Sequence, residues 1–379
     1  MKTFNVGIIG YGFMGRVRAY GHQVLPIFYD PPPCASRITH VCDGVEAVAR
    51  KGAATLGAEA VTDFRRVTEC PEVDVVHVCT PNHLHAEALL SAIEHGKHVL
   101  CDKPLTATLA EAEQVRKALG GYRATGQMAL HVRFFPATMR AKQLISEGFL
   151  GQALEFRAAY LHAGNADPKT PLKWKLSAAS GGGAIADLAS HVLDLVHWLL
   201  GDYAELLAAA HTAYRQRPSA EDPGKLVPVD AEDAVMVLAR MASGALGSLE
   251  ATKLATGAED ELRFEIHGSK GALRFNTMDA HHLEAYDAGA PDSPLGGNRG
   301  WTRIDTGGRY PAPAGFPGPK FTIGFLRSHL ACLAGFLANA AAGQAGDPGL
   351  DQGVRVQRLM ECCRTSAQEG KWAAAPARD

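Results

Sequence analysis

Short apolar runs alternate with segments of helical period in the first third of the chain. Phe4–Ile9, Ile38–Cys42, Val73–Cys79 and Lys97–Cys101 read as buried strands. A helix is expected from about Gly15, and Val45–Leu56, His85–His95 and Leu109–Leu119 carry apolar positions at helical spacing, with Gly96 as a C-cap. Strands and helices alternating at this spacing predict βαβ units and a parallel sheet with helices on both faces. The pattern changes after about residue 125. Ala137–Glu147 is predicted helical, Leu154–Tyr160 alternates as a strand, and Ala184–Leu200 reads as one long apolar helix. From Ala231 to Phe275, strand-like runs are broken by Ser243-Gly244, Gly257 and Gly268-Ser269-Lys270-Gly271, which predicts an antiparallel meander. Residues 288–320, rich in Gly and Pro, are expected to make a surface excursion, followed by helices over Ile323–Ala341 and Gly353–Gly370.

The length of 379 residues suits two domains, and 46% hydrophobic with 21% charged residues supports full cores. A net charge of −2 gives no reason to expect nucleic acid or an anionic membrane as partner. None of the eight cysteines forms a CxxC pair or zinc-ligand spacing, and several sit in apolar runs, as reduced buried thiols do. The N-terminal segment Met1-Lys2-Thr3-Phe4-Asn5-Val6 has no apolar h-region, and no run of 18 apolar residues occurs. A cytoplasmic location is therefore expected. His281-His282 lacks partners at ligand spacing, so no metal site is expected.

Gly10-Tyr11-Gly12-Phe13-Met14-Gly15 closes the first strand and opens a helix. In this setting GxGxxG is a dinucleotide fingerprint. The first glycine makes the tight turn, the second admits a pyrophosphate, the third lets helix and strand pack, and the helix N-terminus attracts the phosphates. The alternative is a glycine turn without a ligand. Asp43 ends the second strand, where a carboxylate accepts from both adenosine ribose hydroxyls and repels a 2′-phosphate. NAD is therefore expected over NADP; otherwise Asp43 is a helix cap. Thr80-Pro81-Asn82-His83-Leu84-His85 follows the third strand, at the edge where a doubly wound sheet binds its ligand. The expected fold is α/β: an N-terminal Rossmann doubly wound parallel sheet over residues 1–125, then an α+β domain over 126–379 built on an antiparallel meander.

Four motifs in order resemble the Gfo/Idh/MocA oxidoreductases: Gly10 to Gly15, Thr80 to His85, Gly96-Lys97-His98-Val99-Leu100-Cys101-Asp102-Lys103-Pro104, and Gly181-Gly182-Gly183 through Asp187 to His191. Phe264-Glu265-Ile266-His267-Gly268-Ser269-Lys270-Gly271 extends the resemblance. It implies NAD(P)-dependent oxidation of a ring hydroxyl, or reduction of the ketone, in sugars, anhydrosugars, glycosides or inositols. It also implies that the second domain carries a large, mostly antiparallel open sheet, and that it serves substrate binding and homodimers or homotetramers through that sheet. The family's Glu-Lys-Pro motif falls on Asp102-Lys103-Pro104, one methylene shorter at the acid, and its Asp-x3-His motif on Asp187 and His191. The implied cofactor contacts are Gly10, Gly12, Phe13, Met14, Gly15, Asp43, Thr80, Pro81, Asn82, His85, Asp102 and Lys103. Tyr160, Ala166-Asp167-Pro168, Pro171-Leu172 and Trp174 resemble an anhydrosugar-oxidising branch of the family. The implied substrate contacts are Arg133, Tyr160, His162, Trp174, Asp187 and His191.

Alcohol oxidation needs a base for the O–H proton and an acceptor for the hydride. His191 titrates near neutrality and suits proton transfer, Asp187 four residues earlier would share its helix face, and the Lys103 ammonium could stabilise a developing alkoxide. By residue type alone, Lys103 could equally be a surface lysine, the Asp187–His191 pair a helix-face hydrogen bond, and Trp174 ordinary packing. The resemblance favours catalysis by Lys103, Asp187 and His191. Two competing functions share the scaffold: a glycosidase that oxidises its substrate transiently on retained NAD, and a non-catalytic sugar or cofactor sensor.

Overall fold

The computed structural model describes residues 2–222, 224–306 and 324–376. The chain divides into two compact units. One comprises Met1–His131, Ala179–Gly181 and Phe325–Gln357; the other Val132–Ala178, Gly182–Gly324 and Arg358–Asp379.

The first unit begins β1 (Thr3–Ile9), α1 (Phe13–Phe28), β2 (Ala35–Cys42), α2 (Glu46–Leu56), β3 (Glu59–Val61), α3 (Arg65–Thr68), β4 (Val75–Val78), α4 (His85–Glu94), β5 (His98–Cys101), α5 (Leu109–Ala118) and β6 (Gly126–Met128). Its six strands run parallel in the order β3-β2-β1-β4-β5-β6. The order reverses between β1 and β4, which opens a ligand crevice at their carboxyl ends. β3, α3 and β6 escape the sequence pattern because three or four residues carry no readable period.

In the second unit come α6 (Pro136–Ser146), β7 (Ala153–Leu161), α7 (Ser190–Leu200), β8 (Tyr203–His211), β9 (Gln216–Pro218), β10 (Leu226–Pro228), β11 (Ala234–Met241), β12 (Leu246–Thr252), β13 (Glu261–Gly268), β14 (Gly271–Asn276), β15 (His282–Asp287) and β16 (Trp301–Asp305). The chain ends with α8 (Phe325–Ala342), α9 (Leu350–Glu369) and β17 (Ala373–Ala374).

Helix α8 belongs with the first unit, so the chain returns to that unit after leaving it. A single boundary after residue 125 does not describe this. The cause is burial: Leu330, Leu333, Phe336 and Leu337 are at most 2% exposed, and Gly21 of α1 lies so close that a Cβ there would meet Leu333 Cδ2 at 2.5 Å. By length and composition α8 could span a membrane, but 61% of it is buried in the protein.

A nine-stranded sheet forms the second unit, ordered β16-β15-β14-β13-β7-β12-β11-β8-β17. The expected continuous meander is interrupted. β7 lies between β12 and β13, parallel to β12 and antiparallel to β13, so the two hairpins β11–β12 and β13–β14 are joined through a strand from 100 residues earlier. A strand, β16, also pairs with β15 inside the expected 288–320 excursion; residues 307–320 of that stretch, and Ile323, lie outside the described residues. Helices α6 and α7 cover one face of the sheet. The other face carries Met236, Leu238 and Leu246 about half exposed.

Several imidazoles are buried in the first unit, and three of them, His22, His77 and His131, are pushed far from their usual range. His22 Nε2 meets His77 Nε2 at 2.8 Å, and His131 stacks on His329 at 3.9 Å. Burial lowers His22 and His131 to about 3, with Arg18 adding to it, and holds His77 well below its usual range. The unfolded chain therefore binds more protons than the folded one below pH ~6.5. Stability from these groups is complete above that pH and is lost as the pH falls towards 3. Denaturant unfolding should lose up to about 4 kcal/mol per pH unit in this window from the three together. A flat stability profile between pH ~6.5 and ~4.5 would show that the imidazoles are not sequestered.

Candidate active site

The glycine loop follows β1 directly. Gly10 has φ +89°, and a Cβ there would meet the Cys79–Thr80 backbone at 2.7 Å; a Cβ on Gly15 would meet Gly10 O at 2.1 Å. Only glycine fits either position. A Cβ on Gly12 would meet nothing within 4 Å, so this flank of the loop is open to a ligand. Helix α1 starts at Phe13 with no side-chain cap and no acid in its first turn, so its N-terminal dipole is uncompensated. Asp43 Oδ2 accepts from Tyr11 N at 2.9 Å and Oδ1 from Val45 N at 2.9 Å. The carboxylate thus ties the loop to the end of β2, while Val45 holds the cap position of α2. The Thr80 hydroxyl is buried with no hydrogen-bond partner among the described residues. An open glycine flank, an uncapped helix and an orphaned hydroxyl at one sheet edge fit a dinucleotide.

Lys103 follows β5 at the same carboxyl edge, joined to Pro104 by a cis peptide. Asp102, just before it, is 9% exposed and pairs with Arg18 Nη2 at 2.5 Å. Arg18 is 1% exposed, so Oδ1 of this carboxylate answers a buried guanidinium that requires one. His85, also expected at the cofactor, is fully buried between two carbonyls, with Nε2 2.8 Å from Thr80 O and Nδ1 3.0 Å from Pro104 O, and its ring N–H donates to one of them. It fastens the Thr80 loop to the Lys103 loop. Asn82 donates to Gly181 O at 2.7 Å, which anchors the triple-glycine turn. His131 lies near enough to Lys103 for the ammonium to contribute to lowering its pKa, after burial and Arg18.

In the second unit, Asp187 and His191 do not share a regular helix. Ile185–Ala189 form a wide π-turn that runs into α7 at Ser190, so Asp187 sits in the turn and His191 in the helix. The segment is anchored at its start, where Ile185 N donates to Glu232 Oε1 at 2.8 Å, and Ser190 Oγ donates back to Ala186 O at 2.7 Å. Two lysines hold the Asp187 carboxylate: Lys253 Nζ lies 2.7 Å from Oδ2, and Lys175 Nζ 3.1 and 3.2 Å from the two oxygens. His191 is 4% exposed, and its ring meets that of Tyr160 edge-on at 5.7 Å. The Tyr160 hydroxyl donates to Asp260 at 2.6 Å, and burial with that acid pushes the phenol well above its usual range. Trp174 lies 5.7 Å beneath the Lys175 ammonium.

This brings together Asp187, His191, Tyr160 and, through Lys175, Trp174. His162 is part-buried and its ring accepts from Gly164 N at 2.8 Å, which shapes its own turn. Arg133 is committed to Asp194, with Nε donating to Oδ2 at 2.8 Å and Nη2 to Oδ1, and its guanidinium lies 5.4 Å from the Trp198 ring. Lys253, Lys175, Glu232 and Arg18 escaped the sequence reading. Each meets its partner across 12 to 84 residues, and nothing in the local pattern marks such a pair. Among the described residues no group of three or more His, Cys, Asp or Glu gathers to hold a metal.

The sequence matches the family model for the oxidoreductase family with NAD-binding Rossmann fold over residues 4–127 and that for the GFO/IDH/MocA C-terminal domain over 138–274. It is 33% identical to levoglucosan dehydrogenase of Pseudarthrobacter phenanthrenivorans over 99% of both chains. It is 27% identical to the NAD+ scyllo-inositol 2-dehydrogenase of Bacillus subtilis over 67% of this chain and 70% of the relative. A solved levoglucosan dehydrogenase in complex with NADH superimposes with a TM-score of 0.93 at 33% identity, covering 100% of both chains.

Proposed function

The chain belongs to the GFO/IDH/MocA oxidoreductases, with their NAD-binding Rossmann fold, and we propose that it oxidises a ring hydroxyl of a sugar, anhydrosugar, glycoside or inositol, or reduces the matching ketone. The observation that carries this reading is the Asp187 carboxylate, clamped by two ammonium groups, four residues before the buried imidazole of His191. Bound NAD would supply the hydride acceptor. Gly10, Gly12, Phe13, Met14 and Gly15 would take the pyrophosphate on backbone N–H groups, Asp43 the adenosine ribose, and Thr80 with Pro81 the far end. His191 would take the hydroxyl proton, Asp187 would orient the substrate or the imidazole, and Lys103 would favour the alkoxide-like oxygen. Residues 1–131 are assigned to cofactor and the sheet-bearing unit to substrate. The levoglucosan and inositol relatives support a cyclic polyol as the substrate class.

The test is a panel of sugars, anhydrosugars, glycosides and inositols with NAD and with NADP, followed by the absorbance of reduced nicotinamide. Net NADH formation with a kcat/KM preference for NAD is expected. Conversion of a glycoside without net NADH would point to the transient-oxidation glycosidase, and an NADP preference would remove the role given to Asp43.

The open face of the nine-stranded sheet forms a groove of about 830 Å³ in which Arg157, Arg263 and Arg274 alternate with Glu250, Glu265 and Glu284 around half-exposed Met236 and Leu238. Such a surface is self-complementary, as a two-fold contact requires. We assign it to a second copy of the chain in a homodimer or homotetramer; a monomeric mass by light scattering would exclude that. The eight free thiols support a cytoplasmic location.

A further inference from the structure

The clamp on Asp187 is not symmetric. Lys253 follows the last residue of β12, is 5% exposed and places Nζ 2.7 Å from Oδ2. Its backbone is fixed on both sides, with its N–H donating to Asp233 O and its carbonyl accepting from Asn165 N, each at 2.9 Å. Lys175 lies in a short turn, its side chain 49% exposed, and makes longer contacts at 3.1 and 3.2 Å. A buried ammonium is costly unless a carboxylate answers it, so Lys253 and Asp187 constrain each other. A long flexible side chain held at a strand end is an expensive way to stabilise a fold, and a hydrophobic residue would serve as well. What lysine adds here is a fixed positive charge beside a carboxylate that must stay ionised.

We infer that Lys253 is a positioning residue of the active site: its ammonium fixes the Asp187 carboxylate in place and keeps the Asp187–His191 segment in the deprotonated form in which it accepts the substrate proton. This rests on the reading above that these two residues handle that proton. The other charged or titratable groups facing the clamp from the elements around it are Lys175, Tyr160 of β7 with its partner Asp260, and Glu232 before β11, which lies within the field of Lys253. Of the two lysines that contact the carboxylate, Lys253 is the buried one. Its removal leaves Asp187 more basic, because the carboxylate loses a nearby positive charge.

Lys253→Met should move the acidic limb of the kcat/KM profile to higher pH by about one unit or more and lower kcat about 10- to 100-fold, with NAD affinity unchanged. Lys253→Arg keeps the charge and should restore the limb, while Lys175→Met, losing a solvent-screened contact, should move it less. An unmoved limb in folded Lys253→Met, or a limb that Lys253→Arg fails to restore, would overturn the inference. A second measurement needs no substrate. In Asp187→Asn, NMR titration of isotopically labelled lysine ammonium groups should show the Lys253 pKa falling, since a buried cation has lost its partner. An unchanged Lys253 titration would refute the clamp even if no polyol were turned over. A fallen pKa together with no NADH formation from any polyol would instead leave the clamp standing and sink the assigned reaction.

Discussion

Lys103→Met is expected to lower kcat by about 10²–10³, the equivalent of roughly 2.7–4 kcal/mol of transition-state stabilisation. It should still fold and bind NAD with native affinity. The side chain follows β5 at the carboxyl edge of the parallel sheet and is only part-buried, so methionine adds no strain there. The supports of the loop are other residues: His85 holds Pro104 O, and Arg18 holds Asp102. An ammonium at this edge interacts more strongly with a developing alkoxide than with a neutral alcohol, which is the condition for raising kcat rather than binding alone. The phosphates are assigned to the loop from Gly10 to Gly15, away from the substitution. NAD titration and turnover on an accepted polyol decide the matter. Near-native turnover would refute a catalytic role, and loss of NAD binding would make Lys103 a structural residue.

His191→Ala should lower kcat on the order of 10²-fold or more and remove the acidic limb that the imidazole contributes. The ring is 4% exposed and packs against Tyr160, so the substitution also leaves a small cavity. His191→Gln keeps more of that volume without a titrating group and separates the two effects. If His191→Gln retained both rate and pH profile, the imidazole would be packing and no base. The wide turn at Ile185–Ala189 bears on this, because such turns concentrate where side chains must be re-aimed at functional sites. Here the turn carries Asp187, whose carboxylate meets Lys253 and Lys175.

Much of the first unit was legible from residue order alone. Four of its strands are short apolar runs, and its longer helices show their period over ten residues or more. Gly10 and Gly15 are required by local sterics: a positive φ at one and a backbone oxygen 2.1 Å from the would-be Cβ at the other. Such requirements act over a few residues, so they leave a mark in the sequence. The roles proposed for Asp43 and Thr80 at the strand ends rest on the same parallel topology.

What only the tertiary structure decided are the pairings between distant segments. Arg18 meets Asp102 across 84 residues, and in the sequence it is one more polar position in α1. Asp187 meets Lys253 across 66 residues because β7 inserts between two hairpins and sets where β12 ends. Arg133, read as a substrate contact, pairs with Asp194 across 61 residues. Helix α8 returns to the first unit because its apolar face packs against α1, where Gly21 permits close approach. Local propensity and period specify elements, but a buried charge takes whichever partner the strand order brings within reach. Strand order depends on long-range register that no short stretch of sequence encodes.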